Sequence, residues 1–354
     1  MKKIDISLLF SVILLTLFGL FMIFDASSFV AFRDFGDKYH YVKDQFGWVA
    51  LGFVGLTLFS YFDYRKLYSL ALPILCTALV LLILVFVPGI GINILGASRW
   101  INTGLVTIQP AEFVKLALAI YLAAWFSNKE KGRLLAFLLL MGLVLGLVML
   151  EPDMGTTTVI LSEAFVIYFL SGARIIYFSL IVPVVAMLGF LFIKMSPYRA
   201  KRLEAFLNIG DSIESSSYHV KQILIALGAG GLTGVGLGNS IQKYAYLPES
   251  TTDSIFAIIA EELGFIGATG LIIFFIFIFS RCFYIAVNAK DNFGKLLGAG
   301  VTTFLAVQTI INLAAQTALV PLTGIPLPFI SYGGSALIID LAAVGILLNI
   351  SKNS

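Results

Sequence analysis

Charged residues are scarce in this sequence. Asp, Glu, Lys and Arg make up 12% of the 354 residues, whereas 59% are hydrophobic and the mean hydropathy is +0.99. A soluble domain carries roughly 25% charged residues, so the composition excludes an ordinary soluble globular protein. The apolar runs are about 20 residues long and do not alternate with polar residues as the strands of a membrane barrel do, so they predict membrane-spanning helices.

Cysteine and histidine are also scarce. The two cysteines, Cys76 and Cys282, lie inside or beside apolar runs and indicate no disulfide framework. Two histidines in the whole chain argue against a zinc site. The net charge of +3 is too small to indicate a nucleic-acid partner, and the basic residues suit loops that face anionic lipid headgroups.

The apolar runs recur to the end of the chain and predict about ten transmembrane helices. These cover residues 8–28, 46–62, 69–87, 109–126, 134–150, 155–172, 175–195, 254–280, 296–320 and 334–350. The first run has no small-residue cleavage signature, so it is predicted to be retained as a span. The pattern favours an all-α polytopic membrane protein, with residues 1–354 in a single integral membrane domain and one long extracellular loop at residues 196–253.

The distribution of basic residues predicts the orientation. The termini and the loops on their side hold 12 Lys and Arg residues, whereas the shorter loops of the opposite side hold four. Six more lie in or beside residues 194–253, but long loops cross the membrane with weak regard to charge. The short loops therefore predict that both termini are cytoplasmic.

The longest polar segment ends in residues 246–264, just before a long apolar run. Thr251 and Thr252 offer hydroxyl groups that can cap a helix, and Asp253 lies where the helix is expected to begin. The positive end of the helix dipole stabilises a carboxylate there, so Asp253 is predicted to be a capping residue. We expect it also to be the group that carries out chemistry.

Ionisable side chains at membrane depth are costly, so they are hypotheses for function by default. Glu112 and Lys115 are three residues apart and share one face of the fourth predicted helix. They either neutralise each other and hold helices together or belong to a functional site. Asp153 follows Pro152 in a predicted turn, where a purely structural role and a functional role are both open.

Further polar side chains lie deeper in the predicted helices. Glu163 and Asp340 have no partner close in sequence, so packing against other helices and a functional role are equally open. Gln308, Asn312 and Gln316 recur at every fourth residue of one helix. This spacing predicts a face of amide groups that form hydrogen bonds between helices.

Four predicted helices begin on the outer side, each with small or polar residues. These starts are residues 109–110, 153–158, 252–253 and 331–335. Helix N-termini offer unpaired N–H groups and a positive dipole, and Arg99, Lys115 and Lys243 are predicted on the same side. The arrangement favours binding of an anion such as a lipid-linked diphosphate. Whether the four starts converge, or are only satisfied by water, is left open by the sequence.

Seven short motifs occur in a characteristic order along the chain. They are PGIG (88–91) with GASRW (96–100), QPAE (109–112) with Lys115, EPDMG (151–155), the glycines of 230–238, LPE (247–249) with Thr252 and Asp253, EELG (261–264), and GIPLPF (324–329) with SYGGS (331–335). Together they resemble the SEDS (shape, elongation, division, sporulation) proteins, the FtsW and RodA family. The resemblance covers essentially the whole chain, and residues 345–351 and the PGIG segment favour the FtsW branch.

The resemblance implies a peptidoglycan glycosyltransferase that polymerises lipid II at the outer face of the bacterial cytoplasmic membrane, for division or cell shape. It implies a class B penicillin-binding protein and other division or elongation proteins as partners. Asp253 aligns with the essential aspartate of the family, Glu112 and Lys115 with polar residues of its central cavity, and Arg99 with the arginine before its tryptophan.

The chain departs from the family at three positions near these motifs. Thr251 stands where the family often has histidine, Glu151 where it usually has glutamine, and Ala111 where a serine is common. None of these changes removes the carboxylate of Asp253. The first one leaves no imidazole beside Asp253 in sequence.

Glycan extension by such an enzyme predicts roles for these residues. Asp253 is expected to act as general base or as ligand of a divalent cation, Mg²⁺ or Mn²⁺, with no organic cofactor. Arg99, Lys115 and Lys243 are expected to face the diphosphate. The remaining predicted substrate-binding residues are Glu112, Asp153 and Ser331. Two alternatives stay open: a lipid II flippase, and a non-enzymatic scaffold that recruits the penicillin-binding protein.

Overall fold

The computed structural model describes residues 4–353, except residues 95–96, 105, 129–131, 196–199, 201–202, 205 and 207–214. Eleven helices have defined bounds within the described residues. They are α1 (Ile6–Phe35), α2 (His40–Tyr61), α3 (Lys66–Leu84), α4 (Pro110–Phe126), α5 (Leu134–Leu150), α6 (Met154–Leu170), α7 (Ile175–Met195), α8 (Ser215–Gly230), α9 (Ile255–Val287), α10 (Asn292–Gln316) and α11 (Gly334–Asn353).

Each of the ten predicted spans coincides with one of these helices, and α8 lies within the long loop. The largest differences are at the ends of α1 and α9, which extend to Phe35 and Val287. Among the described helices, α1, α3, α7, α9, α10 and α11 are long and apolar enough to cross a membrane. The helical membrane fold is confirmed, whereas the number of ten crossings stays a prediction.

Aspartate side chains fix where several helices begin. α1 starts after Asp5, whose carboxylate accepts a hydrogen bond from the Leu8 N–H at 2.9 Å. Asp153 and Asp291 cap α6 and α10 in the same way. A carboxylate at this position satisfies an N–H group that the helix leaves unpaired and is stabilised by the helix dipole. These starts are therefore set locally, by single residues.

α10 lies at the centre of the bundle, packed against α4, α6 and α9. Glycines allow this close approach. A Cβ atom on Gly300 would lie 2.6 Å from Ile167 Cδ1 of α6, and one on Gly298 would lie 2.9 Å from Ala286 Cβ of α9. Helices in membranes associate through such small residues, because lipid supplies no hydrophobic drive between them. The central position of α10 brings its polar face toward the functional site.

The connections between helices alternate between two ends of the bundle. At one end, Arg281 of α9 forms an ion pair with Asp5 at 2.5 Å. At the same end, the Tyr64 N–H donates to Asn349 Oδ1 of α11 at 3.0 Å. This end therefore gathers the start of α1, the α2–α3 turn and the last turns of α9 and α11.

The connections predicted on the outer side meet at the opposite end, which we call the Asp253 end. There, the Tyr332 N–H donates to the Thr251 carbonyl at 2.8 Å, and the Tyr332 hydroxyl donates to Asp44 Oδ2 at 2.5 Å. Arg99 Nε donates to the Glu151 carbonyl at 2.9 Å. The alternation agrees with helices that cross in opposite directions one after another.

A small antiparallel sheet lies between α3 and α4, in a connection for which the sequence predicts no regular structure. Its strands, in spatial order, are β1 (Gly91–Ile94), β2 (Ala97–Asn102) and β3 (Thr107–Ile108). The sheet is an addition to the all-α prediction. It holds Arg99 and Trp100 on β2, next to the loops of the Asp253 end.

The glycine-rich segment 230–238 crosses α9 where that helix is kinked. Gly264 has φ 67° and ψ −170°, which no helical residue adopts. The Phe265 N–H donates to the Gly231 carbonyl at 2.9 Å across this kink. A Cβ on Gly234 would lie 2.0 Å from the Glu262 carbonyl oxygen, so only glycine permits the two backbones to pair here.

Candidate active site

A pocket of about 100 Å³ lies at the Asp253 end. Its lining residues come from three connections of the chain, those before α4, α9 and α11, and from the first turn of α11, and we call it the Asp253 pocket. They are Trp100, Gln109, Thr252, Asp253, Gly324, Pro326, Tyr332, Gly333, Ser335 and Ala336. Indole, amide, hydroxyl and carboxylate groups thus surround one small space and can form hydrogen bonds with a polar ligand.

Three helix N-termini meet at the Asp253 pocket. Gln109 precedes α4, Asp253 precedes the N-cap of α9, and Ser335 lies in the first turn of α11. The Gln109 N–H donates to Ser335 Oγ at 3.1 Å, and Gln109 Nε2 donates to Asp153 Oδ2 at the start of α6 at 3.4 Å. The convergence that the sequence left open is therefore present for three starts, with the fourth connected through Gln109.

Asp253 does not cap α9, and that prediction is wrong. The N-cap is Ser254, whose side chain makes no capping hydrogen bond. The reason is a turn that delays the helix: the Ser254 N–H donates to the Glu249 carbonyl at 3.1 Å. Thr252 does not cap it either, since its hydroxyl donates to Glu249 Oε2 at 2.8 Å.

An imidazole lies next to this turn in space, although none does in sequence. His219 Nε2 of α8 lies 2.7 Å from Ser254 Oγ, and Ser254 is the residue that follows Asp253 in the sequence. The Asp253 carboxylate itself accepts a hydrogen bond from the Thr252 hydroxyl at 3.2 Å and is half-buried. The pocket therefore keeps a carboxylate at its edge within reach of a ligand.

The backbone carbonyl of Asp253 is held from α10. Asn312 Nδ2 donates to it at 3.0 Å and also donates to the Ile325 carbonyl at 2.8 Å. Gln316 Nε2 donates to the same Asp253 carbonyl. A Cβ on Gly324 would lie 3.9 Å from Asp253 Oδ2, so the loop that α10 holds also forms the wall facing the carboxylate.

Tyr332 contributes a phenol that stays protonated. Burial raises its pKa, and the hydrogen bond to Asp44 raises the pKa further because it stabilises the neutral form. The Tyr332 backbone also pairs with Thr251, as described above. The ring is therefore a fixed wall of the pocket.

Glu112 and Lys115 form a buried ion pair at 2.6 Å, with side chains 3% and 1% exposed. Lys115 also interacts electrostatically with Glu163 and Asp340, which are buried in α6 and α11. Lys115 pairs directly with Glu112, whereas the carboxyl oxygens of Glu163 and Asp340 have no hydrogen-bond partner among the described residues. The influence of Lys115 on Glu163 and Asp340 acts between helices, so the sequence did not show it.

This cluster does not line the Asp253 pocket but is connected to its wall. Lys115 Nζ donates to Gln308 Oε1 at 2.5 Å. Gln308 Nε2 donates to the Pro326 carbonyl at 3.1 Å, and Pro326 lines the pocket. Glu112 and Lys115 therefore lie behind the pocket rather than in it.

Arg99 and Asp153 shape the turn beside the pocket. Arg99 donates to the carbonyls of Glu151 at 2.9 Å and Pro152 at 2.5 Å. Asp153 accepts from the N–H and from the hydroxyl of Thr156, both at 2.9 Å. Both predicted residues thus lie close to the pocket but are engaged with protein groups.

Lys243 and Ser331 are further from the role predicted for them. Lys243 is buried, and its ammonium lies 2.9 Å from Asp25 and 3.1 Å from Glu262. Ser331 Oγ accepts from the Leu327 N–H at 2.8 Å inside its own loop. Of the predicted site residues, only Asp253 is among those that line the pocket.

The sequence model described as the FtsW, RodA and SpoVE cell cycle proteins matches residues 6–354. The chain belongs to this family. A relative in Trichlorobacter lovleyi, named probable peptidoglycan glycosyltransferase FtsW, is 40% identical over 358 residues, which cover 99% of this chain and 94% of the relative. The stage V sporulation protein E of Bacillus subtilis is 39% identical over 359 residues, covering 99% and 97% of the two chains.

Solved structures of the family have the same fold. A chain from work on the structural coordination of polymerization and crosslinking by a peptidoglycan synthase complex matches with a TM-score of 0.80 and 27% identity, covering 99% of this chain and 98% of that one. The rod shape determining protein RodA of Thermus thermophilus matches with a TM-score of 0.72 and 28% identity, covering 98% and 96%.

Four lining residues were missed as site residues by sequence reasoning: Trp100, Gln109, Tyr332 and Ser335. Each lies inside a motif by which the chain resembles the family. The motifs therefore pointed to these positions, but the charged residues beside them were chosen as the site residues. Charge was a poor guide to the ligand-binding residues, because Arg99 and Lys243 are paired with protein groups in the fold.

A divalent cation fits this pocket only in part. Mg²⁺ is commonly held by one or two carboxylates together with waters and the phosphates of a substrate. Asp253 is the one carboxylate that lines the pocket, and the described residues contain no cluster of three His, Cys, Asp or Glu side chains for a protein-built site. The donor set suits a cation that binds Asp253 together with a diphosphate.

Proposed function

We propose that this protein is a peptidoglycan glycosyltransferase that polymerises lipid II at the outer face of the bacterial cytoplasmic membrane. The observation that carries the proposal is the Asp253 pocket, where one carboxylate and three helix N-termini meet at one end of a membrane bundle. The family and the names of the relatives described above support it.

The chemistry is a displacement at a sugar carbon. The 4-hydroxyl of one lipid-linked sugar attacks the anomeric carbon of another, and the bond from that carbon to the diphosphate breaks. A hydroxyl is a poor nucleophile, so Asp253 accepts its proton as the new bond forms. The diphosphate leaves with the electron pair of the broken bond.

The leaving diphosphate needs positive charge. The N-termini of α4, α9 and α11 supply N–H groups and dipoles at the pocket. Arg99, Lys115 and Lys243 support the site indirectly, because each is already paired with protein groups. A bound Mg²⁺ or Mn²⁺ at Asp253 would supply Lewis acidity toward the diphosphate; removal with EDTA and restoration with either metal tests this part.

Partners and orientation are part of the same proposal. One structural neighbour comes from a complex that coordinates polymerization and crosslinking, which supports pairing of this chain with a class B penicillin-binding protein. With cytoplasmic termini, the Asp253 end faces outward, where lipid II presents its sugars. A cysteine introduced for Lys38, an exposed residue of the Asp253 end, should react with a membrane-impermeant maleimide in intact cells.

Polymerisation of purified lipid II tests the function directly. The purified protein, with and without its penicillin-binding partner, is expected to convert lipid II into glycan strands that resolve on a gel. A flippase would instead move labelled lipid II between leaflets of vesicles and form no strands. The pocket lies at one end and the polar residues that line it do not extend through the bundle, which favours the enzyme. Translocation without strand formation would overturn the proposal.

A further inference from the structure

The amide groups of α10 point from the helical core toward the Asp253 pocket. Gln308, Asn312 and Gln316 are each no more than 2% exposed and lie on one face of the helix. We propose that Asn312 and Gln316 are positioning residues, which hold the Asp253 backbone so that its carboxylate stands at the reacting sugar. The inference rests on the proposed function and assigns a role to residues that the mechanism above leaves unused.

Asn312 joins two walls of the pocket. Its single amide nitrogen donates to the Asp253 carbonyl at 3.0 Å and to the Ile325 carbonyl at 2.8 Å. Ile325 lies between Gly324 and Pro326, which line the pocket opposite the carboxylate. One side chain therefore connects the segment that carries the carboxylate to the wall that faces it.

Gln316 adds a second donor to the same Asp253 carbonyl, one helical turn further along α10. That carbonyl precedes the hydrogen-bond ladder of α9, whose first acceptor is Ser254 through the Ala257 N–H at 3.0 Å. The same peptide group is held at its N–H side by the turn, through the bond from the Ser254 N–H to the Glu249 carbonyl at 3.1 Å. The two amides of α10 hold it at its carbonyl side.

A role in helix association alone explains the geometry less well. Both donors go to the backbone of a connection, whereas only Gln308 reaches a side chain of another helix, Lys115. Among the described residues, Asn312 Oδ1 and Gln316 Oε1 accept no hydrogen bond, which lowers the stability that each amide gives to the fold. Both side chains donate to the Asp253 carbonyl, which fixes the position of that residue.

The chain offers a matched control on the same helix. Thr309 is 1% exposed, and its hydroxyl donates to the Leu305 carbonyl of α10 at 2.9 Å. Thr309→Val removes a buried hydrogen bond of α10 without touching the pocket. Asn312→Leu keeps the length of the side chain and Gln316→Leu shortens it by one atom, and each change removes the donors to Asp253.

The kinetic constants of lipid II polymerisation by the full-length protein distinguish the roles. We expect kcat of Asn312→Leu and Gln316→Leu to fall roughly 10- to 100-fold, because a displacement of about 1 Å at a catalytic group has such an effect. KM for lipid II should stay within about twofold, since the groups that bind substrate are unchanged. Thr309→Val should keep both constants, and the Tm of all three variants should be similar.

Equal kcat in all three variants would overturn the inference, whatever their Tm values. If Asn312→Leu fails to fold, Gln316→Leu decides, because its amide reaches Asp253 but not Ile325. Asp253→Asn in the same assay separates the two proposals. If that variant keeps wild-type activity, the proposed function of Asp253 fails; if it loses activity while both leucine variants keep theirs, only the positioning role fails.

Discussion

At the scale of single residues, Glu151 is a fully buried carboxyl group at the Asp253 end. It is 0% exposed, and neither of its carboxylate oxygens accepts a hydrogen bond from a described residue. Burial raises the pKa of Glu151 to about 8, with a further contribution from Asp153 and an opposing one from Arg99. The family that the motifs resemble usually has glutamine here, an uncharged side chain of the same shape.

This pKa predicts how stability depends on pH. Between the ordinary value of 4.5 and about 8, the folded protein holds a proton on Glu151 that the unfolded chain releases. The free energy of unfolding therefore falls as pH rises through this range and levels off above it. Glu151→Gln removes the effect, so the variant should melt a few degrees above the wild type near pH 8, and the two should differ little near pH 5.

Thermal unfolding in detergent at several pH values measures this difference. Asp63→Asn at the opposite end, where no such burial occurs, serves as the control and should follow the wild type. Parallel Tm curves for the wild type and Glu151→Gln would show that Glu151 is ionised in the fold.

At the residue scale, the sequence indicated where Asp253 lies but not which protein groups the other charged residues contact. Asp253 was placed at the pocket by its motif and by the helix start that follows it. Its capping role was wrong because the turn from Glu249 moves the helix start to Ser254. The role predicted for Lys243 was to face the diphosphate, and its pairing with Asp25 could not be foreseen because Asp25 lies in α1, far away in sequence.

At the scale of elements, the segment before α9 is attached to the bundle by Lys243. Its ammonium lies between Asp25 of α1 and Glu262 of α9, and the side chains of Lys243 and Glu262 are 6% and 0% exposed. The Ser240 hydroxyl donates to Glu261 beside this cluster. The connection that carries Asp253 is therefore anchored to two helices by buried charges.

Removal of Lys243 should release this anchor. Lys243→Met leaves the buried Glu262 and the partly buried Asp25 without their counter-charge, which should lower the free energy of unfolding by about 3–5 kcal/mol. Lys43→Met is the matched control, because Lys43 pairs with Asp37 on the surface with side chains 68% and 40% exposed. That change should have an effect below about 1 kcal/mol.

Tm and hydrogen exchange over residues 231–254 measure both variants. A Lys243→Met protein as stable as Lys43→Met, with unchanged exchange, would contradict the anchoring role.

Among elements, the apolar runs predicted the helices because each helix must satisfy its own backbone within lipid. The sheet of residues 91–108 and the kink at Gly264 could not be predicted in this way. Both depend on pairing between segments that are distant in sequence, which an apolar pattern does not reveal.

At the scale of the whole molecule, two groups of polar residues lie in different parts of the bundle. Buried carboxylates and Lys115 occupy the interior, whereas the Asp253 pocket lies among the connections at one end. The amides of α10 link the two regions through Gln308 and Asn312. A one-sided site of this kind suits transfer between two lipid-linked substrates that remain in the same leaflet.

The rate of lipid II polymerisation by Asp253→Asn, relative to the wild type and with the penicillin-binding partner present, tests the central claim most directly. Asp34→Asn is the control, since Asp34 lies near the same end and pairs only with its exposed neighbour Arg33 among the described residues. We expect Asp253→Asn to polymerise roughly 10²- to 10⁴-fold more slowly, because its amide cannot accept the proton. Asp34→Asn should keep the wild-type rate. A folded, membrane-inserted Asp253→Asn protein that polymerises lipid II as fast as Asp34→Asn would contradict the account.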